Sequence, residues 1–175
     1  MISIIRATEN DSSVLSQISR DTFKESHGIS APIKEISSYI FEKYNKETLK
    51  NELADSRNIY HLLYYNEEVV GYSKIILNSP YRKDAGKNIA KLERIFLLKK
   101  VYDKKLGLEL LNFNLNFMEE HRQSGAWLYV WVENERAISF YKKNGFRIIG
   151  SYDFKISKNH TNPNHQMFLD FSNNF

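Results

Sequence analysis

The 175-residue sequence predicts a mixed α/β (α+β) fold: a mostly antiparallel sheet with one parallel strand pair and helices on both faces. Three features carry that expectation. Ile59 to Tyr65 and Val69 to Leu77 are β-rich runs on either side of the polar Asn66-Glu67-Glu68, a hairpin signal. Ala90 to Val132 reads strand, long apolar-faced helix, strand, and a crossover of that length joins parallel neighbours. The chain closes on two more strand-like runs, with no repeat, linker or low-complexity tract, so one domain over residues 1–175 is expected.

The elements follow in order. Ile2 to Arg6 is a first or edge strand, and Ser12 to Phe23 sets Val14, Leu15, Ile18 and Phe23 at roughly helical spacing. Gly28 to Pro32 breaks the pattern. Ile36, Tyr39, Ile40 and Tyr44 then predict a second helix, and Thr48, Leu49, Glu52 and Leu53 a short third one. After the hairpin, Asn78 to Asn88 is a polar loop containing Pro80 and Gly86. Ala90 to Leu98 is a strand, Lys104 to His121 a long helix, and Trp127 to Val132 the strand that follows it. Arg147 to Ile156 and Gln166 to Phe171 are closing antiparallel strands around a loop, Ser157 to His165, that contains Asn-Pro-Asn.

Composition narrows the chemistry. With no cysteine there is no disulfide, thiolate metal site or cysteine nucleophile, and a reducing cytoplasm is the expected home. The start, Met-Ile-Ser-Ile-Ile-Arg, lacks a basic region followed by a long apolar run, and no later stretch is apolar enough to span a bilayer, so no membrane association is expected. A net charge of +4 and a pI near 9.1 suit anionic ligands. The lysines are scattered, however, and no basic helix with interleaved aromatics suggests nucleic acid. His160 and His165 share a loop without an obvious third ligand, so no metal is expected.

The richest stretch runs from Trp127 to Phe146. After the strand, Asn134 offers a side-chain oxygen to the first amides of a helix. Ala137, Ile138 and Tyr141 share one face of that helix, and Gly145 followed by Phe146 supplies a left-handed stop with an apolar residue to pack back. This segment resembles the N-x-x-A-x-x-F-Y-x-x-x-G-F signature of the GNAT superfamily of acetyl-CoA-dependent N-acetyltransferases, with Asn134, Ala137, Phe140, Tyr141, Gly145 and Phe146 at its fixed positions. The order of elements is also the order that fold shows. The resemblance implies acetyl-CoA as cosubstrate and direct attack of an amine on the thioester.

Phosphates need convergent amides, which a helix start supplies with the positive end of its dipole. The candidate is Tyr102-Asp103-Lys104-Lys105-Leu106-Gly107-Leu108, where the superfamily carries its pyrophosphate loop, Q/R-x-x-G-x-G/A. Gly107 matches. Tyr102 stands where Gln or Arg is usual and Lys105 where the first glycine is usual; a left-handed backbone there would cost roughly 1 to 2 kcal/mol. Lys99, Lys100, Lys104 and Lys105 could help hold phosphates, or could form a solvated helix start.

Acetylation needs a neutral amine, a positioned thioester and a proton for the departing thiolate. By the resemblance Tyr141 is the general acid, whereas the same tyrosine without the motif would be a packed residue with one hydrogen bond. Asn134 either caps its helix alone or also borders the pantetheine arm. By the same resemblance Glu93, in Lys91-Leu-Glu-Arg-Ile-Phe-Leu97, stands where many members carry a carboxylate that could accept the amine proton through water; otherwise it is solvated or paired with a neighbour such as Arg94. The resemblance implies that the backbone of Ile95, Phe96 and Leu97 lies along the pantetheine.

The resemblance extends to bacterial spermidine/spermine N-acetyltransferases through Asp21-Thr-Phe23, Tyr44-Asn45, Thr48-Leu49, Glu52-Leu53, Val70-Gly71-Tyr72 and Leu92 to Phe96. It implies a polyamine acceptor. Polycations need carboxylates and aromatic faces, and the early helices offer Asp21, Glu25, Glu35 and Glu42 with Tyr39 and Tyr44, as an acidic groove or as a solvated face. The alternatives are acetylation of a protein N-terminus or lysine, and a coenzyme-A-binding sensor without turnover. A homodimer is left open.

Overall fold

The structure is a computed structural model that describes residues 1–83, 85–86 and 88–173. Its strands are β1 (Ile2–Arg6), β2 (Ile59–Tyr65), β3 (Glu68–Ile76), β4 (Ile89–Leu97), β5 (Gly125–Trp131), β6 (Arg147–Lys155) and β7 (Thr161–Asp170). The helices are α1 (Ser12–His27), α2 (Ile33–Lys43), α3 (Lys46–Ala54), α4 (Leu106–Glu120) and α5 (Glu135–Lys143), with short 3-10 turns at Glu9–Asp11, Lys99–Lys104 and Phe171–Asn173. The strands form one seven-stranded sheet ordered β1-β2-β3-β4-β5-β7-β6. β4 and β5 are the expected parallel pair; β1–β2, β2–β3, β5–β7 and β6–β7 are antiparallel. The chain divides into two compact units, the first Met1–Ile75 with Arg94–Asn114, the second Ile76–Glu93 with Leu115 onward. The expected loop 78–88 and the expected domain 1–175 include Asp84, Lys87, Asn174 and Phe175, which lie outside the described residues.

In the first unit, the strand pleat sends Leu62 and Leu63 to opposite faces of β2. Leu62 joins Leu15 and Ile18 of α1 and Leu49 of α3; Leu63 joins Leu106 and Leu110 of α4 with Val70 and Leu97. Helices therefore cover both faces of this part of the sheet, and each buried leucine contributes about 1.5–3 kcal/mol. The β2–β3 connection is tighter than the sequence suggests. Glu68 already pairs with Tyr65, leaving the two-residue turn Asn66-Glu67 with φ of 50° and 68°, the left-handed pair that a twisted hairpin requires. At Gly71 an added Cβ would lie 2.7 Å from the Phe96 carbonyl oxygen, so β3 and β4 approach closely there.

In the second unit, β5 lies between the start of β4 and β7. Ile89, Trp127 and Phe168 form a core with Tyr81 and Tyr129 packed against it. Here the structure corrects the expected loop Ser157–His165. β7 begins at Thr161 and runs through Asn162-Pro163-Asn164. Proline is tolerated because the pairing with β5 ends at Asn164, opposite Trp131, so Pro163 lies past the end of that ladder. Its carbonyl is still used, accepting from the Val132 amide at 3.0 Å.

The second correction concerns the long helix. Rather than starting at Lys104, the chain makes a 3-10 run over Lys99–Lys104, turns at Lys105, and begins α4 at Leu106. Lys105 is the hinge, with φ 57° and ψ 11°.

Candidate active site

The first unit carries the candidate cofactor backbone. Leu97 is buried and Ile95 packs with it on the α4 side, while Phe96 turns to the other face, 6.5 Å from Phe23 and 5.9 Å from Tyr72 by ring centroids. The parallel ladder covers only Ile89–Lys91 against Gly125–Trp127, so the backbone of Ile95–Leu97 lies beyond it.

The loop after β4 is held by an unexpected residue. Glu25, expected as a substrate carboxylate, instead accepts from the Lys99 amide at 2.7 Å and so receives a donor at the head of the 3-10 run. Tyr102 is half-buried against the α4 cluster; Asp103, Lys104 and Lys105 are exposed. Lys105 adopts the left-handed conformation natural to glycine, and its carbonyl accepts from Leu108 and Glu109 at 3.0 and 3.3 Å, opening α4. Leu106 is buried and Gly107 half-buried in the first turn. Lys100 is ion-paired with Glu68, and Lys104 lies 5.8 Å from the Tyr65 ring centroid, so not all of the lysines are free for phosphate.

The second unit carries the candidate acid. Asn134 caps α5, its Oδ1 accepting from the Ala137 amide at 3.2 Å. At the other end Gly145 has φ 86°, its amide donating to the Lys142 carbonyl at 3.1 Å, and the Phe146 amide donates to the Tyr141 carbonyl at 3.0 Å. This paired closure lays Phe146 against Tyr141, ring centroids 5.5 Å apart. Tyr141 is 7% exposed, and burial raises its hydroxyl above the ordinary phenol range, so it is protonated at neutral pH.

Glu93 is paired with a neighbour on its own strand. Its Oε1 accepts from Lys91 Nζ at 3.2 Å, not from Arg94, and Lys91 also lies 5.1 Å from the Trp127 and 5.5 Å from the Tyr129 ring centroids. Strand alternation explains the difference, since adjacent residues point to opposite faces whereas residues two apart share one.

The early acidic residues were open to two readings, an acidic groove or a solvated face, and the structure gives their individual partners. Besides Glu25, Glu42 is exposed and paired with the neighbouring Lys43 at 2.7 Å, and Asp21 accepts from Gln17 one turn earlier. Glu35 is half-buried in the first turn of α2. Tyr39 does join an aromatic cluster, stacked on Phe23 at 4.9 Å and edge-on to Tyr44 at 5.9 Å between ring centroids. His27 stacks on the same Phe23 at 4.9 Å, and burial lowers its pKa to about 4.

Beside that cluster lies a charged network that sequence reasoning left without a role. Glu52 Oε2 accepts from the Tyr60 hydroxyl, from Lys74 Nζ at 2.8 Å and from Arg94 Nη1 at 3.3 Å, and Arg94 Nη1 also donates to the Tyr60 hydroxyl at 2.6 Å. Burial works to raise the Glu52 carboxyl, but Arg94 and Lys74 prevail and hold it below the usual range. The available signal was Glu52 three residues after Leu49: a charge on the apolar face of a short helix needs a buried partner. Among the described residues no group of three His, Cys, Asp or Glu is placed to hold a metal, and no helix is long and apolar enough to cross a membrane.

Comparison with known proteins supplies the identity. The chain is 29% identical over 153 residues to a spermidine N(1)-acetyltransferase of Thermoplasma acidophilum, covering 84% of this chain and 89% of the relative. A crystal structure of the PaiA N-acetyltransferase of Thermoplasma acidophilum in complex with coenzyme A superposes with a TM-score of 0.79 at 25% identity, over 97% of this chain and 99% of that one. The ribosomal-protein-S18-alanine N-acetyltransferase of Escherichia coli shares the fold, with a TM-score of 0.71 at 17% identity over 98% and 94% of the two chains. The Acetyltransferase (GNAT) family matches residues 19–146, so the chain belongs to that family and is an acetyl-CoA-dependent N-acetyltransferase.

Proposed function

We propose that the protein transfers acetyl from acetyl-CoA to a primary amine of a polyamine such as spermidine or spermine, with Tyr141 as general acid. The observation that carries the catalytic part is the Tyr141 hydroxyl: buried, protonated, and fixed by a helix closed at both ends. Acetyl-CoA supplies the thioester. The amides heading α4 at Leu106 and Gly107 bind its pyrophosphate with help from the Lys105 charge, and the backbone of Ile95–Leu97 orients the pantetheine. Tyr141 delivers its proton to the departing sulfur. Glu93, held by Lys91, accepts the amine proton through water, and Asn134 fixes the helix that carries the acid.

The polyamine assignment draws on the similarity to a spermidine acetyltransferase. The fold does not choose the acceptor, because a protein-alanine acetyltransferase shares it. Thiol release from acetyl-CoA, measured against spermidine, spermine, monoamines and peptides with free N-termini, tests the reading. Spermidine or spermine should show the highest kcat/KM, with KM rising with salt. Faster reaction of peptides would remove the polyamine assignment and leave acetyl transfer standing; no thiol release with any amine would remove the catalytic reading.

A further inference from the structure

Arg94 is underused by the protein around it. An arginine that only ties elements together commonly engages a carboxylate with its planar fork, through two parallel N–H bonds. Arg94 uses Nη1 alone, at 2.6 Å to the Tyr60 hydroxyl and 3.3 Å to Glu52 Oε2. Its Nε and Nη2 have no acceptor among the described residues, although the side chain is only 13% exposed. The same Glu52 oxygen is shared with Lys74 and Tyr60, so the guanidinium has the longest bond to a carboxylate atom already in use.

A second group beside it is also unspent. The guanidinium carbon lies 5.2 Å from the centroid of the Tyr44 ring. Tyr44 is 2% exposed, and its hydroxyl makes no hydrogen bond among the described residues. Both groups keep a small solvent contact, the Arg94 side chain at 13% and Tyr44 at 2% exposure. Phe23 and Tyr39 pack against Tyr44 at 5.4 and 5.9 Å between ring centroids. Open N–H donors on a cation, a phenol and aromatic walls fit an oxyanion on a short carbon chain and repel an ammonium group.

We propose that Arg94 and the Tyr44 hydroxyl form a carboxylate-binding subsite, with the guanidinium as charged fork, the phenol as further donor, and Phe23 and Tyr39 as apolar wall. The carboxylate belongs either to the acceptor, beside its amine, or to a separate small acid bound next to a polyamine. Only the acceptor case rests on the amine-acetylation reading.

The test pairs two probes. In the first arm, glutarate is titrated into the wild-type protein, Arg94→Met and Tyr44→Phe by calorimetry. Binding should weaken at least ~10-fold in Arg94→Met and several-fold in Tyr44→Phe. Because Tyr44→Phe keeps the ring and its packing, that variant decides the matter if Arg94→Met does not fold. In the second arm, kcat/KM is compared for 4-aminobutyrate and putrescine, which share a four-carbon chain and differ in carboxylate against amine. A selective fall for 4-aminobutyrate in both variants places the carboxylate on the acceptor. Glutarate binding that depends on both residues, with putrescine as the better substrate, places it on a separate acid. If glutarate affinity and the 4-aminobutyrate to putrescine ratio were the same in all three proteins, the subsite would not exist. Absence of acetyl transfer to any amine would count against the catalytic reading alone, since the glutarate arm needs no turnover.

Discussion

The two units handle polar groups in opposite ways. In the first, the Glu52 carboxylate of α3 gathers the Lys74 and Arg94 cations of β3 and β4 and the neutral Tyr60 hydroxyl of β2, and the network is stable only while its charges compensate one another. In the second, Tyr141 is a single neutral hydroxyl among aromatic rings, held by helix closure rather than by side-chain bonds. The difference teaches where the vulnerabilities lie. Losing a charge in the first unit should be felt as instability, whereas losing the hydroxyl in the second should be felt as lost chemistry with the fold intact.

The largest effect should come from Glu52→Ala, which strands Lys74 and Arg94 as buried cations. Removing one partner of such a network costs about 3–5 kcal/mol, and a urea unfolding curve would show it as a large fall in midpoint. A loss under about 1 kcal/mol would mean that water replaces the carboxylate, and the contrast between the units would weaken.

A smaller effect should appear with pH. His61 is 2% exposed; burial, reinforced by Arg6, lowers its pKa to about 4. The folded state therefore resists protonation while the unfolded chain takes it up near the ordinary value, so stability is full above about pH 6.5 and declines as pH falls toward 4. Between pH 7 and pH 5 the loss should be about 2 kcal/mol, with His27 acting in the same direction. Unfolding measured at both pH values, in the wild type and in His61→Gln, checks this: the variant should show a shallower decline. Tyr141, whose hydroxyl is raised, contributes nothing in that range.

The smallest effect should be at Lys105. Its φ of 57° is costly for a side chain, and Lys105→Gly relieves that strain while adding freedom to the unfolded chain, for a net gain of at most about 1 kcal/mol. Thermal unfolding should rise slightly or stay level, and acetyl-CoA affinity should hold or improve. A clear loss of affinity would show that the Lys105 charge matters more than its backbone.

The same contrast governs what could be read in the sequence. The α5 segment was legible because each part of it, Asn134, Tyr141, Gly145 and Phe146, acts within one helix and its caps, where spacing alone sets geometry. The hairpin and the parallel β4–β5 unit were legible for the same local reason. The Arg94 network was not, since its members lie on four elements and only the tertiary structure brings them together. Glu25 looked like a groove carboxylate because nothing local shows that a backbone amide 74 residues away will engage it, whereas the pairing of Glu42 with the adjacent Lys43 was legible. Pro163 suggested a loop because its tolerance depends on where the neighbouring strand ends.

The central claim is tested most directly by single-turnover thiol release with saturating acetyl-CoA and spermidine, comparing wild type with Tyr141→Phe and with acetyl-CoA affinity measured in parallel. The account expects the chemical step to slow by ~10²-fold, an ordinary magnitude for lost general-acid catalysis, while affinity and unfolding temperature change little. A variant that turns over at the wild-type rate with chemistry limiting would contradict it, leaving Tyr141 as packing alone.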